Sequence, residues 1–176
     1  MARSNLNLLC LSFLMLGLIN NTLQAETKVK VSKTHLCCAS CVSAVEKTLG
    51  NLEGVKHTAD QDSHSIEIVA ASDEAAQKAL DALAAAGFYG ELDNTKLKFA
   101  DVAVSKDKVE RIELTGIHNC CGACTQAIKK AIGGVDGCTA NTVKPRQNSF
   151  VVEGKFSGES LVKALLDSGF YVQVKK

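Results

Sequence analysis

The sequence lacks the features on which several common classes of protein depend. Once Arg3 is set aside, 19 basic residues stand against 19 acidic ones, and no stretch concentrates Lys and Arg without interspersed acid. A basic face for nucleic acid is therefore absent, and we exclude nucleic acid as a partner. The sequence also shows no Ser-His-Asp set, no phosphate-cradling glycine loop and no paired carboxylates. We accordingly expect a protein that is not an enzyme.

Long apolar runs are also scarce, and the one at the N-terminus is short. It extends from Leu8 to Ile19, follows the single charge Arg3, and gives way to a polar stretch that reaches the small residue Ala25. This layout is typical of a secretory signal peptide, whereas a membrane helix needs roughly 20 apolar residues. We assign residues 1–25 to a signal peptide and expect export, with the periplasm as the compartment. An uncleaved membrane anchor is the alternative; otherwise we expect only transient contact with a membrane.

What the remaining chain does contain is a duplicated unit. HLCCASC at residues 35–41 recurs as HNCCGAC at residues 118–124, and Gly87-Phe88-Tyr89 recurs 82 residues later. A repeat of this length indicates two copies of one domain. We predict domains at 27–93 and 109–176, joined by a linker at 94–108 that leaves the two cysteine loops free to act separately or to close on one ion.

Each copy shows the pattern of an α+β domain. In the first, Lys28 to Lys33 alternate as in a half-buried strand, and Val42, Val45 and Leu49 have helical spacing. Two further strand-like runs, a second helix capped by Ser72 and a last strand from Phe88 to Leu92 follow. The second copy repeats the order, so we predict two ferredoxin-like βαββαβ domains in tandem.

The cysteines fall between the first strand and the first helix of each copy. Unpaired N–H groups and the dipole at a helix start stabilise thiolates, which are the ligands that soft metals bind. Cys38 with Cys41, and Cys121 with Cys124, have C-x-x-C spacing and can reach one ion. Such a pair suits Cu(I), whereas Zn(II) requires further ligands. A structural disulfide within each pair is the alternative.

With these residues in place, the sequence resembles the heavy-metal-associated domain. That family comprises small copper chaperones, N-terminal modules of copper-transporting P-type ATPases and the periplasmic mercury-binding protein. It carries G-M-T-C-x-x-C after its first strand and a Gly-Tyr near its last strand, where this chain has Gly87-Phe88 and Gly169-Phe170. The resemblance implies a βαββαβ fold and a donor or acceptor partner such as a metal-transporting ATPase or another carrier. It implies as ligands Cys38, Cys41, Cys121 and Cys124.

Both copies depart from the family pattern in the same way. His35 and His118 stand where the family has Gly, and Cys37 and Cys120 stand where it has Thr. A Cys3His set fits Zn(II), and three thiolates fit Hg(II) or a small Cu(I) cluster. The alternatives are thiols that fill threonine-sized spaces and exposed loop histidines. Asn119, at the family's Met position, is expected to weaken the anchoring of its loop.

These observations predict an exported protein that carries or sequesters a soft metal ion, with Cu(I) favoured over Zn(II) and Hg(II). The metal would move by thiolate exchange. The alternative is a thiol-disulfide redox protein that uses the same cysteines. Against that alternative, each unit is short for a thioredoxin fold. The only proline, Pro145, also lies in a predicted hairpin turn instead of facing the cysteines.

Overall fold

The first half of the chain forms a four-stranded antiparallel sheet with two helices packed on it. The computed structural model describes residues 25–175, so the predicted signal peptide lies outside the described residues except for Ala25. The strand order is β2-β3-β1-β4. The elements are β1 (Thr27–Ser32), α1 (Ala39–Leu49), β2 (Val55–Asp60), β3 (Ser65–Ala70), α2 (Asp73–Ala85) and β4 (Glu91–Leu92).

The second half repeats this architecture with the equivalent strand order β6-β7-β5-β8. Its elements are β5 (Lys108–Thr115), α3 (Gly122–Gly133), β6 (Cys138–Asn141), β7 (Ser149–Ser157), α4 (Gly158–Asp167) and β8 (Gln173–Val174). The predicted fold class, two βαββαβ units of the ferredoxin-like type, is thereby confirmed.

The elements form where the sequence pattern indicates. Val29 and Val31 of β1 are buried, while the alternating residues between and before them are more exposed. Helix α1 buries Cys41, Val45 and Leu49, which are spaced four residues apart and so lie on one face. At the start of α2 the Ser72 hydroxyl accepts a hydrogen bond from the Ala75 N–H, as the predicted cap requires.

The last strand of each unit is shorter than the sequence predicts. The predicted strand from Phe88 to Leu92 contributes only Glu91–Leu92 to its sheet. The residues before β4 pair with the other domain instead: Phe88 forms an antiparallel bridge with Phe170. The Tyr89 N–H donates to the Gly169 carbonyl, and the Tyr171 N–H donates to the Gly87 carbonyl. The repeated Gly-Phe-Tyr segments thus join the two units.

The segment between the domains is not a free tether. Leu97 and Phe99 are each only 7% exposed, and the Phe99 ring lies 4.9 Å from that of Tyr89. The Tyr171 hydroxyl donates to the Ala100 carbonyl. The expectation that the linker leaves the cysteine loops free to act separately is therefore wrong, because apolar residues within it are buried. Among residues 25–175, no helix is long and apolar enough to cross a membrane.

Candidate metal centre

The cysteine loops lie where the first strand of each domain leads into its first helix. Cys38 and Cys121 occupy the cap positions of α1 and α3 in extended conformation, and neither helix start has a side-chain oxygen as cap. Cys41 and Cys124 follow in the first helical turn and are fully buried, whereas the other four loop cysteines are half-buried. Each loop therefore presents one buried and two accessible thiols at a helix N-terminus.

The pairing of the domains brings the two loops together. The closest sulfur contacts cross between the domains: Cys37 Sγ lies 3.4 Å from Cys124 Sγ and 3.5 Å from Cys121 Sγ. Reciprocally, Cys120 Sγ lies 3.6 Å from Cys41 Sγ. All are free thiols. The six cysteines predicted as ligands from the two copies thus form one cluster, here called the thiol centre: Cys37, Cys38, Cys41, Cys120, Cys121 and Cys124.

The two predicted histidines lie at the same centre. The His35 ring stacks on Phe170 and the His118 ring stacks on Phe88, each with ring centroids 4.3 Å apart. The Nε2 atoms of both histidines are buried and without a hydrogen-bond partner. Neither residue is an exposed loop histidine, and each holds a nitrogen close to the thiols. His118 groups with Cys41, Cys120 and Cys124, and His35 with Cys37 and Cys124, their ligand atoms all within 4.8 Å of one another.

The thiols of the centre differ in how readily they ionise. A hydrogen bond from the Cys41 thiol lowers the pKa of Cys124, and the same contact, together with burial, raises the pKa of Cys41. Burial raises the pKa of Cys37 and, to about 12, that of Cys120. Burial also raises the pKa of Cys38, but backbone N–H groups and neighbouring thiols outweigh it and lower the value to about 7. Burial lowers the pKa of His118. Without cations the centre therefore resists holding six thiolates.

Asn119 anchors its loop, contrary to the expectation from the sequence. Its side-chain amide is buried and donates to the carbonyls of Lys144 and Gln147. Its carbonyl accepts a hydrogen bond of 2.8 Å from the Thr125 hydroxyl. The loop is thus held by a satisfied polar network, where Leu36 of the first domain is held by apolar burial.

Some other cysteine, histidine and phenylalanine residues lie outside the set of candidate ligands. Cys138, in β6, is half-buried and packs against the core. His64 is exposed, while His57 is half-buried. Phe88 and Phe170 are buried core residues. Sequence reasoning missed that each of these phenylalanines contacts the histidine of the other domain. The repeated Gly-Phe-Tyr was the available signal, but a repeat does not reveal that its copies touch.

Comparison with solved structures found several similar chains. The chain is 31% identical to oxidized MerP from Ralstonia metallidurans CH34, a match that covers 38% of this chain and 97% of that one, with a TM-score of 0.35. It is 26% identical to the N-terminal domain of PacS from Synechocystis PCC6803, over 39% of this chain and all of that one, with a TM-score of 0.36. Both halves also carry C-x-x-C at the start of the first helix of a βαββαβ unit. Each half of the chain is a domain of the heavy-metal-associated type.

A third match extends over most of the chain. The N-terminal soluble domains of Bacillus subtilis CopA are 19% identical to this chain, over 87% of it and 96% of their own length, with a TM-score of 0.32. No family profile and no curated protein matches the chain.

Proposed function

We propose that this protein binds soft metal ions, Cu(I) before others, at the thiol centre between its heavy-metal-associated domains, and carries or sequesters them. One observation carries the proposal: six cysteine sulfurs from both domains lie together, with contacts of 3.4 to 4.0 Å. A disulfide requires sulfurs about 2.05 Å apart. Thiolates that share a tetrahedral ion at about 2.3 Å lie about 3.8 Å apart. The observed spacing therefore suits common ligands of a metal ion.

The composition of the centre favours Cu(I). Thiolates outnumber imidazoles, and soft sulfur ligands select Cu(I), which accepts two or three of them. Zn(II) would prefer four ligands of a Cys3His kind, such as Cys41, Cys120, Cys124 and His118, and Hg(II) would use the thiolates. These two ions are the alternatives, and competition among the three metals separates them.

Delivery would use the accessible thiols. Cys38 and Cys121 are half-buried at the helix starts, so an incoming cysteine of a donor or acceptor protein can reach an ion through them. An incoming thiolate of the partner would replace one thiolate of this protein through a three-coordinate intermediate. The buried Cys41 and Cys124 would be the last ligands to release the ion. The partner would be a metal-transporting ATPase or another carrier. The protein would bind and release the metal ion and would not catalyse a reaction.

The protein would also be exported to the periplasm, because its N-terminal sequence has the pattern of a signal peptide. A periplasmic protein would begin near Glu26 after removal of the signal peptide. Fractionation followed by N-terminal sequencing tests this part: recovery of full-length protein from the cytoplasm would contradict it.

Competition for Cu(I) against a chromogenic chelator tests metal binding. The protein is purified anaerobically and compared with the Cys41→Ser, Cys124→Ser double variant, which removes the two buried sulfurs. We expect copper affinity to fall at least about 100-fold, or about 2.8 kcal/mol, in this variant. Cys138→Ser is the matched control and should bind as the wild type does. Reduced wild-type protein that takes up no soft metal, while its C-x-x-C pairs reoxidise readily, would contradict metal binding and support the thiol-disulfide function.

A further inference from the structure

The six sulfurs of the thiol centre have a regular arrangement. Every sulfur adjoins all the others except one, the neighbours lying 3.4 to 4.0 Å apart or, between sequence-adjacent cysteines, within 4.8 Å. The three pairs of sulfurs that do not adjoin have no residue in common. Six points connected in this way are the corners of an octahedron, whose opposite corners are Cys37 and Cys120, Cys38 and Cys124, and Cys41 and Cys121.

The triangular faces of this octahedron have the size of a trigonal metal site. Three thiolates around one ion at about 2.3 Å lie about 4 Å apart. The edges of the face formed by Cys37, Cys121 and Cys124 are 3.4, 3.5 and 3.6 Å. The edges of the face formed by Cys41, Cys120 and Cys124 are 3.6, 3.8 and 3.8 Å. These two faces meet only at Cys124, so an ion on each would share one bridging sulfur.

Two further triangular faces of the octahedron, together with the first two, give four faces that alternate around it. One is formed by Cys37, Cys38 and Cys41 and the other by Cys38, Cys120 and Cys121, each with its sulfurs within 4.8 Å of one another. No two of the four faces share an edge, and every sulfur belongs to two of them. Four ions, each bound by the three thiolates of one face, therefore use all six sulfurs. Each sulfur then bridges two ions.

We infer that the thiol centre holds four Cu(I) ions as a single cluster shared by both domains. This inference rests on the proposed binding of soft metal. Six thiolates and four Cu(I) ions give a cluster of charge 2−, formed as the thiols release their protons to solvent and each copper keeps its oxidation state. No oxidant or reductant is needed. The N-termini of α1 and α3 face the cluster and stabilise its negative charge.

The third cysteine of each loop decides between this cluster and two separate sites. If each C-x-x-C pair bound its own ion separately, Cys37 and Cys120 would not be ligands. In the structure Cys37 lies against the other domain's pair, Cys121 and Cys124, and Cys120 lies 3.9 and 3.6 Å from Cys38 and Cys41. Each extra thiol thus connects its own domain to the ligand pair of the other.

Anaerobic titration with Cu(I), followed by native mass spectrometry of the full chain, tests the cluster. We expect metal-free and four-copper protein to dominate throughout, with few intermediates, because the ions share ligands. The Cys37→Ser, Cys120→Ser variant should lose the four-copper state and bind at most two ions. Cys138→Ser, which removes a thiol outside the centre, should keep the four-copper state.

The outcomes separate this inference from the function on which it rests. Two coppers per wild-type chain, bound independently and unchanged by Cys37→Ser, Cys120→Ser, would overturn the cluster and leave soft-metal binding standing. Absence of bound copper in every variant would overturn both. X-ray absorption of the loaded wild type gives a second readout that does not depend on how the variants fold. The cluster predicts copper neighbours around each copper ion, and their absence would contradict it.

Discussion

At the scale of the residue, the side chains that depart from the family pattern have partners in the other domain. His35 stands in place of a glycine and stacks on Phe170, and Cys37 stands in place of a threonine and touches Cys124. The second copy repeats both contacts in reverse, through His118 on Phe88 and Cys120 against Cys41. The substitutions therefore act together, as parts of one interface.

Asn119 provides a test of residue-scale anchoring. Asn119→Leu introduces the residue of the first domain but leaves two backbone carbonyls and the Thr125 hydroxyl without this partner. We expect the free energy of unfolding to fall by about 1–3 kcal/mol in urea titrations, because buried polar groups lose hydrogen bonds.

Asn51→Leu is the matched control for this substitution. Asn51 is exposed and its amide donates to a single backbone carbonyl, that of Lys47. Its loss should change stability by less than about 0.5 kcal/mol. Equal effects of the two substitutions would show that the Asn119 network does not anchor the loop.

The sequence identifies the eight candidate ligands but not their mutual arrangement. Residue type and C-x-x-C spacing point to metal chemistry at each loop, and the repeat shows that there are two loops. That Cys37 belongs beside Cys124 depends on how the domains pair, which no local pattern encodes. Asn119 shows the same gap, since the two carbonyls to which its side-chain amide donates are 25 and 28 residues away.

At the scale of the element, the short edge strands determine how the domains join. The strand-like pattern before β4 and β8 is genuine, but its backbone groups bond across the domain boundary at Gly87 and Gly169. Helices and central strands were predictable because their apolar periodicity is satisfied inside one domain. The pattern at the edge does not indicate which sheet will receive it, and the predicted strands were therefore too long.

Gly169→Ala tests this junction. A Cβ at Gly169 would lie 2.4 Å from the His35 backbone nitrogen and 2.7 Å from the Lys33 carbonyl oxygen of the other domain. We expect the substitution to separate the loops, to abolish the four-copper state and to lower the free energy of unfolding by more than its backbone cost alone.

Gly54→Ala controls for that backbone cost. Both glycines have positive φ, +72° at Gly54 and +83° at Gly169, so both substitutions incur about 1–2 kcal/mol. The nearest atom to a Cβ at Gly54 is the Ala71 Cβ at 3.4 Å, an ordinary contact. If Gly169→Ala loses no more stability than Gly54→Ala and keeps four coppers, the junction does not hold the loops together.

At the scale of the whole molecule, the two domains form one structural unit around the thiol centre. Leu97 and Phe99 of the connecting segment are buried, and its Ala100 carbonyl accepts a hydrogen bond from Tyr171. The segment therefore does not act as a flexible linker between the domains. Metal ions shared between the loops would add to this coupling, because ligand-bound ions stabilise the state that binds them. Loaded protein should accordingly unfold at a higher temperature than metal-free protein, as one transition.

The most direct measurement is a disulfide map of metal-free protein after mild oxidation in dilute solution. Proteolysis between the domains and mass spectrometry without reductant identify the bonded pairs, and alkylation reports Cys138 as a free thiol outside the centre. We expect disulfide bonds between the domains, foremost from Cys37 to Cys124 or Cys121, whose sulfurs lie 3.4 and 3.5 Å from the Cys37 sulfur. Bonds found only within the pairs Cys38–Cys41 and Cys121–Cys124 would contradict a thiol centre shared by the two domains.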